Sequence, residues 1–373
     1  MIPHQNNDSE TAQVPLQQQP QNLKTELRHA ASSTSTIKPV KNAYNQHVQH
    51  AQFEHHNLRG VFPTTTYEPI PVLSVIDRAQ FAEPTLKNLL EKATVEHLAP
   101  KIGTEITGVQ LHELTDAQKD ELALLVAQRG VVFFKEQQIT VDQQLALGRY
   151  YGPLHIHQNL GHPEHKPEVV LVEQSVDKSV SVLQRHFYDP LDDWHSDVSY
   201  ERQLPSYTSF KLLTTPPEGD TIWASSYEAY DRLTEPFKAF LQRLTAIHSS
   251  KKQAEEASGR GFTIRRPYAE FLHPVVRTHP VTKRKALYVN PGFTTRIVQL
   301  SRDESDAVLR FLFKHIAQGH EFQVRYRWSK NAVAVWDNRI TSHIATFNYL
   351  PGNRHAVRVT PHGEIPYFKN DNQ

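Results

Sequence analysis

The chain has 373 residues and a mass of 42.8 kDa, enough for one large domain or two ordinary ones. Lysine and arginine number 41 against 40 acidic residues, and the formal net charge of +1 gives no overall field that would favour nucleic acid or an anionic membrane. The chain has no cysteine, which excludes disulfides, iron–sulfur clusters, thiolate metal sites and a cysteine nucleophile. Any metal chemistry must therefore use histidine, aspartate and glutamate.

The start of the chain carries no recognisable targeting signal. It is polar and lacks an apolar run of signal-peptide length, and no stretch of about 18 apolar residues occurs anywhere. Asp8 and Glu10 come early and the first arginine is Arg28, which is unlike a mitochondrial presequence. We expect a cytoplasmic protein with no membrane or nucleic-acid partner, and homo-oligomer formation is left open.

Residues 1–70 are predicted to form a disordered polar tail, because they are rich in glutamine, asparagine, histidine, serine and threonine and poor in aliphatic residues. Four histidines near its end could bind a metal, but a mobile tail would lose its conformational entropy on closing such a site, so we favour no metal there. They are His47, His50, His55 and His56. Residues 71–373 are predicted to be one catalytic domain.

The first regular elements of that domain are a strand and a helix. Apolar and polar residues alternate over 101–109, which is typical of a strand. Thr115 and Gln118 form a capping-box pattern, and the apolar spacing that follows predicts a helix over 116–129 that ends before Gly130.

Short apolar runs typical of β-strands dominate the rest of the chain. A second helix is predicted from the cap at Thr140 to near Gly152, and two more helical patterns cover about 227–247 and 303–318. The predicted strands are 131–134, 169–172, 207–213, 286–289, 331–336 and 356–359. The sequence therefore predicts a mainly β fold with flanking helices, either a sandwich or a barrel.

A histidine and an aspartate two residues apart, His195 and Asp197, would face the same side of an extended strand. With a distant histidine they would form the two-histidine, one-carboxylate set that suits non-haem Fe(II) oxygenases. Such a pair alone is weak evidence, because a chain with 22 histidines and 40 acidic residues contains some by chance. His343 is the candidate third ligand.

Two arginines follow His343 and would share one face of a strand, Arg354 and Arg358. A guanidinium matches the geometry of a carboxylate, so the first could hold one anion and the second another beside it. Taken without the rest of the pattern, each arginine would more often be a surface or ion-paired residue.

The motifs, in this order and spacing, resemble the taurine dioxygenase family, also called TauD/TfdA, over roughly residues 100–368. Within that family the chain is most similar to the sulfonate dioxygenases of fungi. The motifs are Trp194-His195-Ser196-Asp197-Val198-Ser199, Glu218-Gly219-Asp220-Thr221, Trp336-Asp337-Asn338-Arg339 through His343, and Arg354 with Arg358.

The resemblance implies a double-stranded β-helix, or jelly roll, and an oxygenase dependent on Fe(II), 2-oxoglutarate (α-ketoglutarate) and O₂. Carried over by position, it implies that His195, Asp197 and His343 bind the iron. It also implies that Thr221 and Arg354 bind the distal carboxylate of 2-oxoglutarate. No catalytic residue is expected beyond the metal ligands.

For the second substrate the resemblance implies an organosulfonate whose anion contacts His157 and Arg358, in a pocket lined by Val198 and Phe293. Hydroxylation of the carbon next to sulfur would release sulfite and an aldehyde for sulfur assimilation.

A tyrosine and an asparagine that hold taurine in the family correspond to Leu160 and Leu191, so the sulfonate is expected to be larger or less polar than taurine. The alternatives are an alkyl sulfate ester, a carboxylate substrate of the phenoxyacetate type, a zinc-dependent hydrolase and a catalytically silent member of the fold.

Overall fold

The computed structural model describes residues 55–58, 60–174, 189–215, 218–259, 262–346, 348–349 and 353–370. Most of the predicted tail, including His47 and His50, lies outside the described residues, and its disorder stays a prediction. Its last part makes defined contacts. The backbone of Val61 exchanges two hydrogen bonds with His162, of 2.8 and 3.2 Å, and the Tyr67 amide donates to the carbonyl of Arg265. Chain contacts with the fold thus begin before residue 71.

The helices lie outside the sheets, and their caps follow the sequence patterns. Thr115 with Gln118, and Thr140 with Gln143, form the capping boxes predicted for the helices Asp116–Arg129 and Val141–Tyr151. The helix Arg302–Ala317 confirms the pattern at 303–318. The helices are α1 Lys87–Leu90, α2 Asp116–Arg129, α3 Val141–Tyr151, α4 Ser226–Asp231, α5 Glu235–Leu241, α6 Lys251–Gly259 and α7 Arg302–Ala317. None of the helices in the described part of the chain could cross a membrane.

The single helix predicted over 227–247 is wrong. That stretch contains α4, α5 and the strand Thr245–Ser249. Pro236 lies in the first turn of α5, where the backbone N–H that proline lacks would have no acceptor within the helix. Inside a longer helix the same proline would remove a backbone hydrogen bond. The proline therefore starts a new helix instead of continuing the first.

The strands of the described residues form one large sheet and three small ones, which confirms a mainly β fold. The large sheet has the order β1-β2-β3-β13-β5-β15-β4, and the small sheets are β12-β6-β14, β11-β7-β8 and β10-β9. The strands are β1 Thr94–His97, β2 Thr104–Thr107, β3 Val131–Phe134, β4 Val169–Gln174, β5 Tyr207–Thr214, β6 Thr221–Ser225, β7 Thr245–Ser249, β8 Glu270–Pro274, β9 Val276–Thr278, β10 Lys285–Leu287, β11 Thr294–Ile297, β12 Gln323–Tyr326, β13 Val333–Asp337, β14 Thr341–Ala345 and β15 Arg354–Val359.

Aromatic side chains fill the space between the large sheet and the sheet β12-β6-β14. Phe133 of the large sheet stacks on Tyr326 with ring centres 3.9 Å apart, and its edge meets Trp223 at 5.3 Å. Phe210 lies 5.1 Å from Trp328. Rings packed in this way bury a large apolar area and hold the two sheets face to face, which fixes where the side chains on their inner faces can meet.

Candidate metal centre

His195, Asp197 and His343 meet at one point. Each offers one ligand atom, and these atoms all lie within 4.8 Å of one another. The Nε2 atoms of His195 and His343 lie 3.8 and 4.0 Å from Asp197 Oδ1. No other group of three potential ligands of this kind occurs among the residues that the structure describes.

His195 and Asp197 are not on a regular strand, contrary to the expectation from their spacing. His195 makes an isolated bridge to His343, with backbone hydrogen bonds of 3.0 and 2.8 Å, and Asp197 begins a turn in which Val198 has a positive φ of 41°. The bridge joins two candidate ligands directly. His195 is therefore positioned by its backbone hydrogen bonds to His343 and not by a strand.

Asn338, which lies between β13 and β14, holds the turn that carries Asp197. It is fully buried, and its Oδ1 accepts from the Asp197 amide at 3.2 Å and from Trp336 Nε1 at 2.9 Å. Its Nδ2 donates to the hydroxyl of Thr208 on β5. One amide group thereby connects the ligand turn to the large sheet.

Burial and charge set the protonation of the ligands. Burial, with a contribution from His195, lowers the pKa of His343 to about 3, so this imidazole is neutral at ordinary pH. Burial raises the pKa of Asp197, but the attraction of Arg358 and the histidines outweighs it and leaves that pKa below its usual value. A neutral imidazole and an ionised carboxylate are the forms that bind a metal.

The donor set fits a divalent ion. The Nδ1 of His195 donates to the carbonyl of Asp193 at 2.8 Å, which leaves the Nε2 lone pair free on the side of Asp197. Within the described part of the chain, the buried Oδ2 atom of Asp197 has no hydrogen-bond partner, a costly arrangement that a cation would relieve. Two imidazoles and one carboxylate suit Fe(II) with open positions, and also Zn²⁺.

Arg354 and Thr221 each contact one ring of a packed aromatic pair, Phe210 and Trp328. The buried guanidinium of Arg354 lies 5.3 Å above the Phe210 ring, and Trp328, packed on Phe210, donates from Nε1 to the Thr221 hydroxyl at 2.9 Å. The Arg354 Nε atom is buried and has no hydrogen-bond partner among the residues that the structure describes. A donor facing an aromatic wall is the kind of group that holds a carboxylate.

His157 and Arg358 lie near the ligands. The Nδ1 of His157 accepts from the amides of Asn159 and Leu160 at 3.3 and 3.2 Å, so its proton is on Nε2. Burial lowers the pKa of His157 well below its usual range, and Arg358 is among the positive charges that add to this. Arg358 itself donates from Nη1 to Asp197 Oδ1. The guanidinium therefore touches the ligand set directly.

Val198 and Phe293 pack together in a small buried cluster with Tyr200, and the Phe293 ring centre lies 6.3 Å from that of His195. Asn290 holds the two segments by accepting from the Phe293 amide at 3.0 Å and donating to Ser199 Oγ at 2.9 Å. This cluster forms an apolar wall beside the ligands. Leu160, 36% exposed, and the half-buried Leu191 are both accessible to solvent.

A family model described as "Taurine catabolism dioxygenase TauD, TfdA family" matches residues 94–360. That span contains all nine residues whose roles the sequence resemblance predicted, and it covers more than half of the chain.

Three similar proteins extend the comparison. An "alpha-ketoglutarate-dependent sulfonate dioxygenase" of Saccharomyces cerevisiae is 43% identical over 83% of this chain and 78% of its own. An "alpha-ketoglutarate-dependent sulfate ester dioxygenase" of Pseudomonas putida is 31% identical over 73% of this chain and 90% of its own. The crystal structure of a taurine dioxygenase from Burkholderia xenovorans superposes on this chain with a TM-score of 0.63 and 31% sequence identity. The match covers 74% of this chain and 93% of that one.

Proposed function

This chain belongs to the TauD/TfdA family of dioxygenases, and we propose that it oxidises an organosulfonate at the carbon next to sulfur. It is a 2-oxoglutarate-dependent dioxygenase. The observation that carries the sulfonate proposal is the partly buried guanidinium of Arg358, which donates to Asp197 and so places an anion-binding group beside the proposed metal position.

In this proposal the sheet β12-β6-β14 and the central part of the large sheet together form the double-stranded β-helix. Its support is their face-to-face packing and the antiparallel pairing of the strands β13, β5, β15 and β4. We also propose a cytoplasmic enzyme that acts on small anions. Residues 1–70 remain the proposed polar tail, apart from the contacts of Val61 and Tyr67 with the fold.

His195, Asp197 and His343 would hold Fe(II). The bound ion would supply the activation of O₂, coupled to oxidative decarboxylation of 2-oxoglutarate to succinate and CO₂. The protein keeps both imidazoles available through the Asp193 carbonyl and through burial, and Asn338 keeps the carboxylate in place. These residues hold the proposed ligands in place and do not themselves transfer a proton.

Thr221 and Arg354 would bind the distal carboxylate of 2-oxoglutarate. Trp328 already donates to the Thr221 oxygen, which directs the hydroxyl hydrogen towards another acceptor. Arg354 is buried against Phe210, so its charge is weakly screened and an anion there is bound strongly.

Arg358 and His157 would bind the sulfonate, the first by charge and the second through its Nε2 hydrogen. Val198 and Phe293 would line the carbon side of the pocket and keep water from it. The hydroxylated carbon would carry both OH and SO₃⁻, and cleavage of its C–S bond gives an aldehyde and sulfite. One sulfonate, one O₂ and one 2-oxoglutarate thus give aldehyde, sulfite, succinate and CO₂.

An alkyl sulfate ester is the second candidate. The similarity to the Pseudomonas putida enzyme and the apolar Leu160 and Leu191 favour it, because a longer alkyl chain suits apolar walls. Hydroxylation next to the ester oxygen would release sulfate instead of sulfite, so the two candidates give different products.

The test is a panel of alkyl sulfonates, alkyl sulfates and phenoxyacetates with Fe(II), 2-oxoglutarate and O₂, in which succinate, sulfite and sulfate are measured in parallel. Equal amounts of sulfite and succinate with a sulfonate are expected. Succinate with sulfate alone, or only with phenoxyacetates, would replace the proposed substrate. Zinc-dependent hydrolysis without any succinate would overturn the oxygenase function.

A further inference from the structure

The loop that carries His157 is held by an arginine outside the predicted site. Arg265 is 2% exposed, and its Nη2 donates to the carbonyls of His157 and Leu160, the first at 2.8 Å. Its backbone amide donates to the carbonyl of Gln158 at 2.9 Å. Three carbonyl groups of the loop 157–160 are therefore tied to one residue.

The orientation of the His157 ring depends on the same loop. Its Nδ1 accepts from the amides of Asn159 and Leu160, so a change in the loop backbone would rotate the ring and move its Nε2 hydrogen. Arg265 holds the carbonyls on either side of these amides. Loss of its bonds would displace the donor without touching the metal ligands.

An extended segment, Val61 to Glu68, supports the two neighbouring arginines from the outside. The Tyr67 amide donates to the Arg265 carbonyl at 2.6 Å, and the Tyr67 ring lies 5.7 Å from each of the two guanidinium groups. Arg266 donates from Nε to the carbonyl of Glu68 and from Nη1 to that of Ile156. Arg265 and Arg266 thus both make hydrogen bonds with the loop and with the segment.

The charge of Arg265 has no acidic partner among the described residues, whereas Arg266 lies 3.8 Å from Glu201. Arg265 is also among the charges that act on His157. A buried cation without a carboxylate is costly, and an anion bound near His157 would offset part of that cost.

We propose that Arg265, supported by Tyr67, is a positioning residue for the anion-binding loop and determines the affinity for the anionic substrate through His157. This inference rests on the proposed function, in which His157 contacts the substrate anion. It assigns to the segment Val61–Glu68 a part in the substrate side of the site.

The test compares Arg265→Gln and Arg265→Lys with the wild type, using the full chain with Fe(II). The anion is whichever member of the panel gives the most succinate. Arg265→Gln is expected to raise KM for that anion about tenfold, the effect of losing a charge-assisted hydrogen bond, with little change in KM for 2-oxoglutarate. Lysine, which can donate to the same carbonyls, is expected to restore part of the affinity.

Arg129→Gln is the matched control. Arg129 also donates from its guanidinium to loop carbonyls, those of Ala99, Pro100 and Gly103, but it lies outside the predicted site. The control should lower thermal stability and leave both KM values unchanged. An equal rise in both KM values of Arg265→Gln, an unchanged KM for the anion, or the same rise in Arg129→Gln would overturn the inference.

Tyr67→Leu decides the matter if Arg265→Gln does not fold, because it leaves the charge and removes the ring that lies near both guanidinium groups. A several-fold rise in KM for the anion supports the inference, and an unchanged KM overturns it. A wild type that forms succinate but no sulfite contradicts only the sulfonate function, since the KM ratio still decides the role of Arg265. A wild type that forms no succinate with any member overturns both.

Discussion

The two sides of the candidate site are held in place by different means. On the metal and co-substrate side, His343, Thr221 and Arg354 lie on β14, β6 and β15, which are paired strands of two facing sheets. On the substrate side, residues 155–160, 198–200 and 290–293 have little regular structure and are fixed by side chains such as Arg265 and Asn290.

The proposed metal and co-substrate residues are therefore held differently from the residues proposed to recognise the substrate. A ladder of backbone hydrogen bonds does not depend on which side chains it carries, so His343, Thr221 and Arg354 are held firmly, whereas the turn that carries Asp197 depends on Asn338. Loops held by side chains can be altered one contact at a time. We therefore expect removal of a proposed metal ligand to abolish activity, and substitutions on the substrate side to shift KM and substrate preference.

The largest effect is expected for His343→Ala. Removal of one of three ligands leaves too few donors to hold the ion, so succinate formation should fall to background, and Fe(II) bound per chain should fall with it. His315→Ala, which removes another partly buried histidine on α7, is the control and should retain both. Normal Fe(II) binding in His343→Ala would remove this residue from the ligand set.

Arg354→Met should raise KM for 2-oxoglutarate roughly a hundredfold, since truncating one member of a buried charge pair costs about 2–5 kcal/mol. KM for the sulfonate should change little, because Arg354 lies against Phe210 and Tyr349. Initial-rate kinetics with each substrate varied in turn measure both values. A larger effect on the sulfonate would exchange the roles of the two arginines on β15.

Arg358→Ala should raise KM for the sulfonate by roughly thirtyfold, the effect of about 2 kcal/mol for a charged hydrogen bond, while KM for 2-oxoglutarate is kept. Because Arg358 also donates to Asp197, Fe(II) affinity should change as well, and Arg358→Lys should restore that part. An unchanged KM for the sulfonate in the alanine variant would take Arg358 out of the substrate pocket.

Asn338→Ala should weaken Fe(II) binding about tenfold, the lower end of the range for residues that orient metal ligands. Quenching of the nearby tryptophans, Trp223 and Trp336, on titration with the ion measures this without turnover. Asn88→Ala, an asparagine near α2 and away from the ligands, should bind as the wild type does. Equal affinities in the two variants would show that the turn at Asp197 holds without the amide.

The smallest effect is expected for Leu160→Tyr combined with Leu191→Asn. Both leucines are accessible to solvent, and polar groups there should improve kcat/KM for taurine about fivefold, corresponding to about 1 kcal/mol for one hydrogen bond. Sulfite release with taurine measures it. No gain would show that these positions do not contact the amine end.

The parts of the fold set by local patterns could be predicted from the sequence. The capping boxes at Thr115 and Thr140 locate helices because the interactions involved lie within four residues. The split of the helix predicted over 227–247 also has a local cause, because Pro236 lies in the first turn of a new helix. The three candidate ligands could be proposed because they occur in the order and spacing of a family's motifs, whereas the spacing of His195 and Asp197 alone was weak evidence, and the structure brings the three side chains together.

The parts that depend on distant residues could not be predicted. The segment from Val61 to Glu68 is polar like a disordered tail, and its order comes from Arg265 and Arg266, about 200 positions away. Asn338 belongs to a recognised motif, yet its hydrogen bond to Asp197 exists only in three dimensions. Arg265 belongs to no motif, and only the contacts with residues 157–160 reveal its role.

The strand order of the large sheet has a consequence for synthesis of the chain. Among the described strands, β4 pairs with β15 alone, and Val170 faces Arg358. At translation rates of about 5–20 residues per second, β4 therefore waits roughly 10–40 s for its neighbour to emerge from the ribosome. During that interval its backbone groups are open to pairing with other chains, and Arg354 and Arg358 of β15 arrive in the same step that closes the sheet.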